Sequence, residues 1–150
     1  MVNTNFEIER KWLFDGDLDF ITANCKCAII SDFYFNKNTR LRNINNGEWR
    51  ITIKGDGTLV RNEFEVPIAL KDLPNQTLLG CLQKKRYYVD YHGNTFEINV
   101  FQNRVLNNLV LVECELGSLD VAIDLPDWLG KDVTENREYY GYNLFQKIAI

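Results

Sequence analysis

The chain has 150 residues, 45% hydrophobic and 25% charged, the length and balance of a single globular domain spanning residues 1–150. A net charge of −4 is the wrong sign for a duplex nucleic-acid binder, and no run of about 18 apolar residues is present to cross a membrane. The polar opening Met1-Val2-Asn3-Thr4-Asn5 leads straight into strand-like sequence, so no secretory signal is expected, and a cytoplasmic location is.

Phe6-Glu7-Ile8-Glu9-Arg10-Lys11-Trp12-Leu13 reads as a strand with Glu7, Glu9 and Lys11 on one face and Ile8, Arg10 and Trp12 on the other. After the turn Asp15-Gly16-Asp17, residues 18–25 have the weak periodicity of a short helix. Strands follow over 27–35, over 39–44 with Arg40 and Arg42 sharing a face, and, after the hairpin signal Asn45-Asn46-Gly47, over 48–54. Gly55-Asp56-Gly57 turns the chain into a strand over 60–66, which Pro67 is expected to end. A helix is expected over 69–83, with Leu78, Leu79 and Leu82 as core contacts. Three more strands lie over 84–91, 95–101 and 109–116, and a final helix over about 136–148. Many strands joined by hairpins, with few helices, predict a mostly β (α+β) antiparallel sheet or barrel.

The cysteines Cys25, Cys27, Cys81 and Cys114, with His92 as the one histidine, do not have zinc-site spacing and are expected to be reduced, mostly buried thiols. Trp12, Trp49 and Trp128 are read as packing anchors, Tyr139, Tyr140 and Tyr142 as the packed face of the last helix, and His92 as an exposed, inert turn residue.

The charge pattern repeats from strand to strand. Arg40 with Arg42, and Lys84 with Arg86, make basic faces; Glu7 with Glu9, and Glu113 with Glu115, make acidic ones. Solvated sheet faces commonly carry alternating charge, but they mix signs to limit repulsion. Segregated signs suit a site that holds a polyanion and divalent cations together.

In order along the chain, the motifs are Glu7-Ile8-Glu9-Arg10-Lys11, Arg40-Leu41-Arg42, Ile51-Thr52-Ile53-Lys54-Gly55, Arg61-Asn62-Glu63-Phe64-Glu65, Lys84-Lys85-Arg86-Tyr87 and Glu113-Cys114-Glu115. This series resembles the CYTH domain, the triphosphate tunnel metalloenzyme superfamily. The resemblance implies an eight-stranded antiparallel β-barrel tunnel with a few peripheral helices and a C-terminal helix. It also implies Mg²⁺- or Mn²⁺-dependent hydrolysis of a small-molecule triphosphate, the short Glu-Ile-Glu-Arg-Lys members being similar to inorganic triphosphatases. Carried over, it makes Glu7, Glu9, Glu63, Glu65, Glu113 and Glu115 metal ligands. Arg40, Arg42, Lys54, Arg61, Lys84 and Arg86 become the substrate clamp, and Glu9, Lys11 and Arg42 the catalytic groups. Glu97 and Asp132 would lie in a supporting shell or at a mouth. Alternatives are a class IV adenylyl cyclase-like or thiamine triphosphatase activity, or a non-catalytic polyphosphate- or nucleotide-binding module. The partner is a small molecule, with neither nucleic acid nor membrane, and the protein a monomer or homodimer. Three positions depart from the pattern: Asn99 stands where the family has an aspartate, Asp132 where it has a glutamate, and Glu138 where it has an arginine.

Overall fold

The computed structural model describes residues 3–69 and 80–148. Nine strands form one antiparallel sheet: β1 Asn3–Phe14, β2 Lys26–Asn36, β3 Thr39–Ile44, β4 Glu48–Lys54, β5 Val60–Ile68, β6 Leu82–Tyr91, β7 Asn94–Phe101, β8 Val110–Glu115 and β9 Leu129–Asp132. The order is β5-β4-β3-β2-β6-β7-β8-β1-β9, and an added β5–β1 pairing closes the first eight strands into a ring. The expected eight-stranded antiparallel barrel is therefore present. The short β9, absent from the sequence reading, lies beside the end of β1, opposite Trp12 and Phe14.

Turn chemistry sets the hairpins. Asn45 and Asn46 have φ of 53° and 57°, and His92 and Gly93 have 47° and 84°, the left-handed pair of a two-residue loop. Asp17 caps α1 (Leu18–Thr22) by accepting from Phe20 N at 3.1 Å, and the helix ends three residues short of expectation. Pro67 does not end β5, which runs to Ile68; the β1 ladder has stopped at Glu65, so a missing N–H is tolerated beyond it. The helix expected over 69–83 lies largely outside the described residues, and its last two positions open β6 instead, where the ladder to β2 begins at Asp32↔Leu82. The last helix is also shorter than its expected span: a 3₁₀ turn over Arg137–Tyr139 precedes α2 (Gly141–Ile148).

The strands turn their charges inward, and their apolar residues divide between a layer outside the ring and one end of the lumen, where Phe101, Leu111 and Leu144 line the cavity. One cluster, Trp12, Phe96, Ile98, Val112 and Cys114, sits on the outer face of β1, β7 and β8, covered by Leu18, Ile21, Leu116, Ile123 and Trp128. A second, Leu82, Phe101, Leu106, Leu111, Val133, Leu144 and Phe145, seats α2 against one end of the barrel. Trp12 is a buried anchor, whereas Trp49 and Trp128 are only partly buried. All four cysteines are free thiols; Cys81 and Cys114 are buried, but Cys27 is exposed, because it lies at the outer edge of β2. His92 is exposed, as expected; its Nδ1 is 2.8 Å from Asp124 Oδ2, and its ring stacks on Tyr91 at 4.1 Å. Among the described residues, no helix is long and apolar enough to cross a membrane.

Candidate active site

The ring encloses a cavity of about 250 Å³ lined by all of the residues singled out from the sequence: Glu7, Glu9, Lys11, Arg40, Arg42, Lys54, Arg61, Glu63, Glu65, Lys84, Arg86, Glu113 and Glu115. Glu97 lines it too, and Glu97 and Glu115 also border a second depression beside Gly93-Asn94-Thr95. Asp132 does not line the cavity; it pairs with Arg10 at 2.9 Å on the outer side of β1.

Strand order separates the charges. β8, β1 and β5 are consecutive and carry the six glutamates; β3, β2 and β6 are consecutive and carry Arg40, Arg42, Lys84 and Arg86. In a ring of eight, β1 and β2 are four steps apart in either direction, so an acidic arc faces a basic arc across the lumen. Lys11 and Arg61 interrupt the acidic arc, and Lys54 reaches into it from the adjacent β4. Lys54 Nζ donates to both Glu7 oxygens at 2.9 and 3.1 Å, and Arg61 Nη2 donates to Glu7 at 3.2 Å.

On the acidic side, carboxylate oxygens of Glu7, Glu9 and Glu115 lie within 4.8 Å of one another. Hard oxygen donors at this spacing are the set a divalent cation of the Mg²⁺ or Mn²⁺ type requires. The carboxyls also crowd in pairs. Burial alone would raise Glu7, but Lys54, a hydrogen bond with Glu63 and Arg61 hold it at about 2. Burial and Glu7 push Glu63 up to about 7. In the second pair, burial and then Glu113 drive Glu9 well above the carboxylate range. Glu113 is held well below it, burial being overcome by Lys11, Glu9, Lys84 and Arg86. At Glu9, which also stands in the close group with Glu7 and Glu115, a cation can replace the proton.

The basic side is organised on Asp32, a residue not anticipated from the sequence. Asp32 accepts from Arg42 Nε at 2.7 Å and Nη2 at 2.9 Å and is 1% exposed. Against the effect of burial, Arg42, Arg40 and Lys84 hold its carboxyl well below its ordinary value. Arg40 Nη2 donates to Thr52 Oγ1 at 3.1 Å. Arg40 Nε is the buried side-chain nitrogen, among the described residues, that lacks a hydrogen-bond partner. Such an N–H is costly unless an acceptor meets it, and an anion in the lumen supplies one. Lys84 is buried beside Arg86 and Arg42, and these effects depress its ammonium well below the lysine range.

The sequence pattern puts Tyr140 on the packed face of the last helix. It stands before that helix instead, and its ring lies under Lys11 at 5.0 Å, Arg61 at 5.4 Å and Arg137 at 5.7 Å. Lys11 Nζ also donates to the Tyr139 carbonyl at 3.1 Å. The neighbouring Gly141 has no room for a side chain: a Cβ there would collide with the Tyr34 hydroxyl.

No family model matches the chain. An inorganic triphosphatase of Acetivibrio thermocellus is 28% identical over 144 residues, 92% of each chain. An inorganic triphosphatase of Nitrosomonas europaea is 33% identical over 143 residues, 89% of this chain and 92% of that one. The chain belongs to the inorganic triphosphatase family. A crystal structure of an inorganic triphosphatase superposes on this family member with a TM-score of 0.62 at 29% identity, covering 92% of this chain and 93% of that one. Sequence reasoning did not reach Asp32, buried behind Arg42, or the place of Tyr140 in the cavity wall, with the exposed Arg137 beside its ring. The chain also carries a cation near the tail after all, at Arg137 beside Glu138.

Proposed function

We propose that this protein is a triphosphatase of the CYTH, or triphosphate tunnel, type that hydrolyses inorganic tripolyphosphate inside the barrel. The observation that carries the reading is the opposition of two charged arcs across a closed lumen, a cation-type carboxylate group facing a basic clamp. The names of the two curated relatives favour inorganic triphosphate over a nucleotide or thiamine ester.

In this reading Arg40, Arg42, Lys84 and Arg86, with Lys54 on the adjacent β4 and Arg61 on the opposing arc, hold the phosphate oxygens and offset the charge that builds in the transition state. Arg42, fixed bidentately on Asp32, meets the substrate with little side-chain freedom left to lose. Entry of a polyanion would favour the charged form of Lys84 and give Arg40 Nε its acceptor. Glu7, Glu9 and Glu115 would hold a divalent ion, with Glu63, Glu65 and Glu113 around them. Bound Mg²⁺ or Mn²⁺ would supply charge neutralisation at the phosphates and lower the pKa of the attacking water. Glu9, central in the carboxyl group, would give up its proton on cation binding. Lys11, held between the Tyr139 carbonyl and the Tyr140 ring, would orient a phosphate oxygen or that water.

The test is to incubate the protein with tripolyphosphate, ATP and thiamine triphosphate, with Mg²⁺ or Mn²⁺, and to follow phosphate, pyrophosphate and cyclic AMP. Phosphate release from tripolyphosphate is expected, and it should vanish with chelator and fall by at least about a hundredfold in Glu9→Gln. Cyclic AMP with pyrophosphate as the main products would replace this reading with a cyclase, and binding without turnover of any of the three would leave a binding module.

A further inference from the structure

Asn99 lies on β7, between the two arcs, and is 0% exposed. Its side chain is fully engaged. The carbonyl Oδ1 accepts from Arg86 Nε at 2.8 Å. The amide Nδ2 donates to Glu113 Oε1 at 2.9 Å, and more weakly to the main-chain carbonyls of Glu97 and Leu111 at 3.3 and 3.4 Å. The amide can sit only one way round: Arg86 Nε is a donor, and the other three partners are acceptors.

Resting on the triphosphatase reading, we propose that Asn99 is a positioning residue that ties Glu113 into the phosphate clamp, so that the free protein offers one divalent-cation site, at Glu7, Glu9 and Glu115. Glu113 is surrounded by the chain's own donors: Asn99, Arg86 at 3.7 Å and Lys11 at 4.0 Å. Asn99 holds its Oε1 by a hydrogen bond and the two flanking cations offset its charge, so it offers a metal ion less than the carboxylates of the close group do. Its oxygens fall outside the close group formed by Glu7, Glu9 and Glu115. The same amide aims the Arg86 guanidinium, whose Nη1 also meets Glu97 at 3.4 Å.

An aspartate at this position would behave oppositely. It would keep the acceptor for Arg86 but turn the donor into a second acceptor facing Glu113 and two carbonyls. Burial without solvent would then demand a cation or a proton between the new carboxylate and Glu113. An asparagine here is thus a choice between a clamp contact and a second ion.

Calorimetric titration of Mn²⁺ into the metal-free full chain, without triphosphate, tests this. The wild type is expected to take up one ion per chain. Asn99→Asp is expected to take up two, with a larger Mn²⁺-dependent rise in Tm than the wild type. Asn99→Ala should keep one ion while its KM for tripolyphosphate rises about tenfold, from loss of Arg86 orientation, with kcat changed less. A wild type that binds none or two ions overturns the proposal, whatever the variants do. So does Asn99→Asp with one ion and an unchanged Tm response, or Asn99→Ala with wild-type KM. Failure of the triphosphatase reading would look different: no phosphate released from tripolyphosphate by a protein that still binds its single ion.

Discussion

Asp32 anchors the basic arc, because Arg42 would otherwise be a guanidinium buried beside Arg40 and Lys84 without a counter-charge. Removing one partner of such a pair leaves the other charge unpaired, and Asp32→Ala is expected to cost about 3–5 kcal/mol in chemical denaturation. A loss below about 1 kcal/mol would mean that Arg42 finds another partner. Tyr140 holds its cations more weakly, each ring contact contributing about 0.5–2 kcal/mol. Tyr140→Leu should lower kcat/KM for tripolyphosphate by about tenfold, while Tyr140→Phe, which keeps the ring and loses only the hydroxyl bond to the Thr134 carbonyl, should stay near wild type. Equal activity of the leucine and phenylalanine variants would show that the ring does not position Lys11 or Arg61.

Among the elements, the hairpins explain what could and could not be read in advance. The inward set was legible because period-2 alternation fixes which residues share a face, whatever the partner strand. Partners were harder to read. An unbulged β2–β3 hairpin counted back from Asn36↔Thr39 would set Arg42 opposite Phe33; the irregularity between Tyr34 and Asn36 slips the register by one and brings Arg42 opposite Asp32. One displaced residue hid the anchor of the clamp. β9 and Tyr140 were hidden for another reason: both are placed by contacts with β1, Lys11 and Arg61 far away in sequence, for which local pattern has no signal. Gly141 abuts Tyr34 where α2 begins, and Gly141→Ala should destabilise the fold by about 1–3 kcal/mol through overpacking. Tyr34→Phe should restore part of that loss in a double-mutant cycle; strict additivity would place the collision elsewhere.

Over the whole molecule, a lumen of crowded carboxyls makes stability depend on pH in a direction that can be worked out. Glu63 has a folded value of about 7, above its ordinary 4.5, so the folded state holds a proton that the unfolded chain has released in that interval. Its contribution is full below 4.5 and is lost as pH rises through about 7. Thermal unfolding of the metal-free protein should therefore show Tm falling between about pH 5 and about pH 7.5 by more in the wild type than in Glu63→Gln. Mn²⁺ should flatten the wild-type curve by taking over the proton's role. Parallel curves for the two proteins would remove Glu63 as the source.

The outward placement of the Trp12 cluster has a consequence for how the chain tolerates change. Along β1, Glu7, Glu9 and Lys11 serve the lumen while Trp12, one residue on, belongs to the apolar cluster, so chemistry and cohesion occupy alternate positions of one strand. Substitutions on either face are separable from the other. Frame is not: one residue inserted within β1 would send carboxylates into the oily layer and the indole into the lumen, whereas two would restore the phase beyond them. Such a protein is forgiving of spelling and intolerant of spacing.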